Sequence, residues 1–371
     1  MMQSKSRVLF LLHIPPPVHG SSIVGLNIME SKLINTEFDC DFINLLASKN
    51  VADSGKINIS KLFGFIKTII LVCAQLLRAR PKLCYLALST TGAAFYKDLI
   101  LIVLLKLFGV KLVYHLHNKG ISTKQRNALS RLCYRYVFKD AAVIILSANL
   151  YRDIEAFVSQ SNVYVCPNGI ADGVLLAETS HLPNQSGAVK ILFLSNLIKS
   201  KGIIVLLKAL SALKQDGISF MCDLVGGEGD LLAPELEKMK AELNLNDVVV
   251  YHGKQFGASK NLTFRAADIF VLPTFYSNEC FPLVLLEAMS FSLPVISTHE
   301  GGIPDIVAEG VTGFLVNKND PTDLASKLSV LIHEKKTREM MGNNGRIKFE
   351  KQYTLNHFER NMKDILSKIM G

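Results

Sequence analysis

The sequence predicts an α/β protein made of two Rossmann-like halves, and three observations carry that reading. Short β-rich apolar runs alternate with helix-length amphipathic segments almost from end to end, the pattern of parallel sheets covered by helices on both faces. A new series of such runs begins near residue 189. Between the two series lies "PNGIADGVLLAETSHLPNQSG", rich in Gly, Pro, Asn and Ser, which reads as a linker.

In the first half, strands are expected near 7–13, 39–45, 82–88, 110–116, 142–146 and 162–166, with helices in the gaps. The second series is "VKILFLSN" (189–196), "FMCDLVG" (220–226), "VVVYHG" (248–253), "IFVLP" (269–273), "PVIST" (294–298) and "GFLV" (313–316). Segments 321–336, 338–349 and 354–370 read as closing helices. The division is drawn as 1–180 for a first Rossmann-like domain and 181–350 for a second. A final helix, 351–371, is expected to pack back on the first. Ligands of such sheets bind outside the carboxyl ends of the strands, so a cleft between the halves is the expected site.

A chain of 371 residues is comfortable for two domains, and 49% apolar residues supply both cores. Its seven cysteines, at 40, 73, 84, 133, 166, 222 and 280, show neither CxxC nor metal-ligand spacing, which fits a reducing compartment. No secretory signal is read at the N-terminus. The longest apolar stretches, 62–77 and 99–110, each carry a lysine and fall short of the roughly 20 residues that span a bilayer. They read as helices packed on a sheet, with a peripheral membrane role left open.

The net charge of +9 is unevenly spread: residues 49–152 hold 17 Lys and Arg against 3 Asp and Glu, while residues 181–371 balance at 21 and 21. So local an excess points to an anionic partner. In "KQRNALSRLCYRYVFKD", Arg131, Arg135 and Lys139 recur every fourth residue and form one stripe of a helix, either a solvated face or a surface for anionic lipid. With no tryptophan and no aromatic platform in that helix, nucleic acid is not an expected partner.

Several constellations can carry chemistry. "HIPPPVHGSS" places Gly20, Ser21 and Ser22 at the opening of a helix, where backbone N–H groups can approach an anion; the alternative is a plain strand-to-helix turn with a serine cap. In "KLVYHLHNKG", His115 and His117 lie two apart at a strand's carboxyl edge and so share a face. "FLSNLIKSKGI" sets Lys199 and Lys201 just before a helix, a pattern suited to a diphosphate. "LVGGEGD" lacks the full dinucleotide glycine spacing, and "FDCDF" matches an Asp-x-Asp metal motif only superficially. Finally, "FYSNECFPLVLLEAM" places Glu279 and Glu287 eight apart in an apolar run. Unpaired buried carboxylates are costly, so each needs a ligand or a protein partner: a helix cap for Glu279 and a nearby cation for Glu287 are the alternatives to a ligand.

Taken together, "ECFPLVLLE" with its Glu-x7-Glu spacing, the flanking "FVLPTFYSNE" and "AMSFSLPVISTHEGGIPDIVAEGVTGFLV", "SNLIKSKG" and "VCPNGI" resemble the retaining family-4 glycosyltransferases of the GT-B fold. The similarity is strong over the second half and loose over the first. The resemblance implies a nucleotide-sugar donor held mainly by the second domain and a glycan acceptor held mainly by the first. By position, Glu287 would accept from the ribose hydroxyls and Glu279 from a hydroxyl of the transferred sugar. Backbone N–H groups near Phe281 and Leu283 would face the diphosphate, after a helix started by Pro282. Lys201 matches the family's diphosphate lysine. Asn196 stands where the family has arginine, with Lys199 as a substitute cation. Gly20 matches the phosphate loop in part, His19 replacing its first glycine, and His117 is the candidate strand-end histidine, with His115 second. The implied transfer retains anomeric configuration, needs no protein nucleophile, and uses no metal and no cofactor beyond the donor substrate. A lipid-linked glycan acceptor at the inner face of the plasma membrane, as in surface polysaccharide assembly, follows from the basic subregion. Two other readings stay open: a GT-B-type epimerase or hydrolase of nucleotide sugars, and a non-catalytic membrane-associated binding protein.

Overall fold

The computed structural model describes residues 5–45, 59–173 and 187–371, with side chains of helix residues from 63 onward in the second stretch. Most of the expected linker lies outside the described residues. The chain packs into two units, Met1–Gly169 with Leu355–Gly371, and Ile170–Thr354.

In the first unit the chain runs β1 (Arg7–Leu12), α1 (Gly20–Glu30), α2 (Lys32–Glu37), β2 (Asp39–Asn44), α3 (Ile59–Arg78), β3 (Leu83–Leu88), α4 (Gly92–Leu107), β4 (Lys111–Leu116), α5 (Ile121–Lys124), α6 (Ala128–Phe138), β5 (Ala142–Ile145) and β6 (Val163–Val165). The six strands form one parallel sheet in the order β2-β1-β3-β4-β5-β6. Strand β3, LCYLAL, is buried at every residue, as a strand covered on both faces must be. Right-handed crossovers put helices that connect strands in opposite directions on opposite faces. The β1-to-β2 connection runs one way and carries α1 and α2. The connections into β3, β4 and β5 run the other way, and α3, α4 and α6 lie side by side on that second face.

The second unit runs β7 (Val189–Leu194), α7 (Ile203–Gln215), β8 (Phe220–Val225), α8 (Ala233–Glu242), β9 (Val249–Tyr251), α9 (Gly257–Ala266), β10 (Ile269–Val271), α10 (Leu283–Ser290), β11 (Val295–Thr298), α11 (Ile303–Ile306), β12 (Gly313–Val316), α12 (Pro321–His333) and α13 (Lys335–Gln352). Its parallel sheet has the order β12-β11-β10-β7-β8-β9, so strand order reverses between β7 and β10. Helix α12 begins where the Asp320 carboxylate accepts from the N–H groups of Thr322 and Asp323, with Pro321 pre-set at the first position. All twelve expected strands are present, with bounds shifted by one or two residues.

The final helix, α14 (Leu355–Met370), belongs to the first unit: Phe358, Met362, Leu366, Ile369 and Met370 join the core built on β1 and β3, and α14 packs on α2. The division after Gly169 comes earlier than the expected 180. The reason is local: the Ile170 N–H donates to the Tyr353 carbonyl, and Asp172 is gripped by Arg346, which ties this stretch to α13. None of the seven cysteines is joined in a disulfide. No helix among the described residues is long and apolar enough to cross a membrane.

Candidate functional site

The reversal of strand order between β7 and β10 opens a crevice at their carboxyl ends, the place where such sheets take ligands. The loops leaving these two strands bring Lys201 and Glu279 together: Lys201 Nζ lies 2.5 Å from Glu279 Oε2. Glu279 is buried and the lysine half-buried, so the pair is screened only in part. The ammonium also sits 4.8 Å from the centre of the Tyr276 ring. Close contact of the two loops depends on Gly202, whose φ is +89° and whose absent Cβ would lie 2.1 Å from the Pro273 carbonyl oxygen. Opposite it, Gly301 (φ +55°) passes so near the Glu279 carbonyl that a Cβ would sit 2.2 Å from it.

Pro282 is the N-cap of α10 and gives no side-chain cap; the helix itself begins at Leu283, one residue later than a proline in the first turn requires. Glu279 is therefore in the loop and Glu287 on the second turn. Glu287 is paired with Lys260 of α9 at 2.5 Å, each side chain about a quarter exposed. Phe281 is buried with its ring edge on Tyr353, and Leu283 is half-buried.

The two lysines before α7 diverge. Lys201 turns to Glu279, whereas Lys199 lines a shallow cavity of about 210 Å³ with Lys208, Phe275 and Asn319. The Lys199 N–H donates to Asp230. Asn196 is exposed, and its side-chain carbonyl accepts from the Gly227 N–H at 3.2 Å, which joins the β7 loop to the glycine turn after β8. The glycines of "LVGGEGD" thus serve close packing of this turn: a Cβ on Gly226 would meet the Ser195 carbonyl at 1.8 Å. In the first unit, Asp41 of "FDCDF" is bound by Arg7 at 2.6 Å and Asp39 is exposed.

The first sheet has its own reversal of order, between β1 and β3, and its carboxyl edge gathers four imidazoles. His115 is fully buried and shares a hydrogen bond of 2.5 Å between Nδ1 and the Tyr85 hydroxyl, while its Nε2 has no hydrogen-bond partner. The His115 and His117 ring centres are 4.1 Å apart. His13, at the end of β1, bonds Ser21 Oγ through Nδ1 at 2.7 Å and faces His19. Burial makes the charged form unfavourable at each. It lowers His115 to about 3, and, with the neighbouring His19 and Lys97, lowers His13 to about 4. His117 is held well below the ordinary histidine value by burial and then by the other three imidazoles, and His19 is lowered by burial.

His19, rather than a serine, is the N-cap of α1: its Nδ1 accepts from the Ser22 N–H while Ser22 Oγ accepts from the His19 N–H. Gly20 is exposed with open space where a side chain would stand. A cluster of neutral imidazoles beside an uncluttered helix start presents neutral hydrogen-bonding groups, suited to hydroxyl-rich or phosphate-bearing ligands. His13 and Tyr85 were not among the residues the sequence singled out; a lone polar residue near the end of the apolar run "VLFLLHI" is the signal that could have found His13.

Residues 178–348 match the family model described as "Glycosyl transferases group 1". Across 98% of this chain and 100% of the other, the structure is similar to that of Anabaena Alr3699/HepE in complex with UDP, with a TM-score of 0.74 at 19% identity. The fold is GT-B. In sequence, this GT-B chain is 42% identical over 105 residues to sulfoquinovosyl transferase SQD2 of Arabidopsis thaliana, covering 28% of this chain and 20% of that protein. It is 30% identical over 164 residues to the capsular polysaccharide biosynthesis glycosyltransferase CapM of Staphylococcus aureus, covering 44% and 41%. The aligned stretches thus span less than half the length of either relative. The GT-B unit that carries Lys201, Glu279 and Glu287 is the one the family model matches.

Proposed function

We propose that the protein is a retaining glycosyltransferase that moves a sugar from a nucleoside-diphosphate donor to a glycan acceptor. The observation that carries this reading is the Lys201–Glu279 pair at the order reversal of the second sheet, beside the uncapped start of α10. An ammonium and a carboxylate held together there can separate onto a diphosphate and a sugar hydroxyl respectively. The amides at Leu283 and Val284, left without a side-chain cap, add a dipole toward the leaving phosphate. Glu287, partly exposed on the second turn, is placed to accept from ribose hydroxyls once Lys260 yields.

In the proposed reaction the acceptor oxygen attacks the anomeric carbon on the face from which the diphosphate departs. The bond from that carbon to the phosphate oxygen breaks as the new glycosidic bond forms, and the acceptor's proton passes to the departing phosphate. The chain then needs no nucleophile of its own. Its work is to stabilise charge that grows on the phosphate, through Lys201 and the amide dipoles. His117 and Gly20 of the first unit are assigned to the transferred sugar and the phosphate. The acceptor is assigned to a lipid-linked glycan at the inner face of the plasma membrane, in surface polysaccharide assembly. The capsular polysaccharide relative and the basic excess of residues 49–152 support this.

A thermal-shift panel of nucleotide sugars, UDP-sugars first, tests the donor. A ligand at a hundred times its dissociation constant stabilises by about 2.7 kcal/mol. Stabilisation by one nucleotide sugar that is lost in Glu287→Ala supports the reading, and no response to any member of the panel overturns it. Anomeric configuration of the product, read by NMR, tests retention. Turnover without acceptor to free sugar or to an isomer would instead assign hydrolysis or epimerisation.

A further inference from the structure

Helices α3, α4 and α6 share one face of the first sheet, and the outward side of that face is unlike the rest of the unit. Of the fourteen large apolar side chains exposed on the first unit's described residues, twelve stand on these three helices. Phe63, Ile70 and Leu77 of α3 are 68%, 61% and 76% exposed, Leu107 of α4 is 77% exposed, and Leu132 of α6 is 65% exposed. A contiguous apolar patch of this extent on a soluble surface marks a site of association.

The charges on the same three helices have one sign. Lys67, Arg78, Lys97, Arg131 and Arg135 are exposed there, and Lys139 follows at the end of α6. The one acidic residue in the three helices is Asp98, which is buried and accepts from the Ser89 N–H. The helices of the opposite face carry acidic residues of their own, Glu30 on α1, Glu37 on α2, Glu359 and Asp364 on α14, and Asp140 follows Lys139 just beyond α6. The unit is therefore polarised, apolar and basic on one side and mixed on the other.

We propose that the α3–α4–α6 face is a membrane-docking surface that seats on anionic lipid with its helices parallel to the bilayer and its apolar side chains inserted at the headgroup boundary. Apolar residues between lysines and arginines are the composition of helices that lie in the interface plane, where burial and attraction to anionic headgroups act together. None of the three helices spans a bilayer, so the contact is peripheral. A second copy of the chain fits less well, because matching faces would set like charges against one another across an apolar contact. The proposal deepens the reading of a lipid-linked acceptor by naming the surface and adding insertion to charge attraction. It rests on that reading only for its purpose, since the surface can bind lipid whether or not the chain transfers sugar.

The test is sedimentation of the full-length protein with vesicles of phosphatidylcholine alone or with 30 mol% phosphatidylglycerol, an arbitrary composition of about that size chosen for its negative surface potential. Tight binding to the anionic vesicles alone is expected, weakened but not abolished by raising salt, because insertion is not screened. Arg131→Glu with Arg135→Glu should weaken binding at least about thirtyfold. Ile70→Glu with Leu132→Glu should remove the salt-resistant part while leaving the melting temperature and the nucleotide-sugar response unchanged, as both side chains face solvent. Equal binding by these variants and the parent overturns the proposal. So does a dimer, seen by analytical ultracentrifugation, that the same substitutions dissolve. Failure of every nucleotide sugar to bind would remove the transferase reading and leave this one standing.

Discussion

Lys201 Nζ and Glu279 Oε2 are 2.5 Å apart, brought from loops 78 residues distant in the chain. The pair satisfies a buried carboxylate in the free protein and leaves both partners where a donor would claim them. Glu279→Gln should lower turnover at least tenfold, the loss of one charge-assisted bond of about 1.5–3 kcal/mol. Lys201→Ala should lower kcat by about a hundredfold, because its charge is needed most as the phosphate departs. It should also destabilise the fold, since Glu279 is left buried without its cation. Steady-state kinetics with chemical denaturation separates the two effects, and a Lys201→Ala enzyme with unchanged kcat contradicts the assignment.

Lys260 and Glu287 are each about a quarter exposed, so their pair contributes no more than about 1 kcal/mol to stability. Lys260→Ala should leave the melting temperature nearly unchanged and should not impair donor binding, whereas Glu287→Ala should raise the donor's KM at least tenfold. Equal effects of the two substitutions on KM would show that the pair is structural.

The histidine cluster predicts acid sensitivity. His13 and His115 take up protons in the unfolded chain near the ordinary value of 6.5, but in the folded protein only near 4 and 3. Their stabilisation is full above 6.5 and is lost as pH falls toward the lower values. At pH 5 each withdraws about 2 kcal/mol, from 1.36 kcal/mol per pKa unit. Denaturant midpoints at pH 7 and 5 check this, and a His13→Gln variant should flatten its share of the slope.

Asp98 works in the opposite sense. Burial raises its carboxyl from 3.8 to about 6, against the Ser89 hydrogen bonds and Lys97. Its raised value means that stability is present at low pH and lost as pH climbs through 6. Asp98→Asn, which can keep an acceptor for the Ser89 N–H, should stabilise the protein by about 1–3 kcal/mol at pH 8, with most of the gain gone at pH 4. A destabilised variant at pH 8 refutes this.

Arg346 holds Asp172 through both oxygens, at 2.7 and 2.5 Å, and donates to the Ser290 carbonyl at the end of α10. The Asp172 bonds lead in raising its pKa above the ordinary arginine value. Arg346→Ala should cost about 2–3 kcal/mol, and a double-mutant cycle with Asp172→Asn should recover most of it as coupling.

The apolar runs located the central strands because parallel strands covered on both faces must be apolar nearly throughout, as β3 is, whereas the edge strand β2 carries Asp39 and Asp41 and is buried only at Ile43. The resemblance singled out Lys201 and Glu279, and the topology explains why they meet. Lys260 and Arg346 were not legible. Each acts through a partner 27 or 174 residues away, in a helix whose local sequence carries no motif. The exposed side of α3 and α4 was equally hidden: runs apolar nearly all round do not reveal which residues the sheet covers.

Helix α14 lies last in the chain yet fills the core of the unit that begins it. As the polypeptide leaves the ribosome, the strands of the first sheet emerge early, but the apolar groove beneath α2 stays open until Leu355–Met370 has been made. The opening half of the protein must therefore wait, incompletely sealed, through synthesis of the entire intervening unit, which can finish its own core first. A stop codon before Phe358 would damage the half of the molecule farthest from it in sequence.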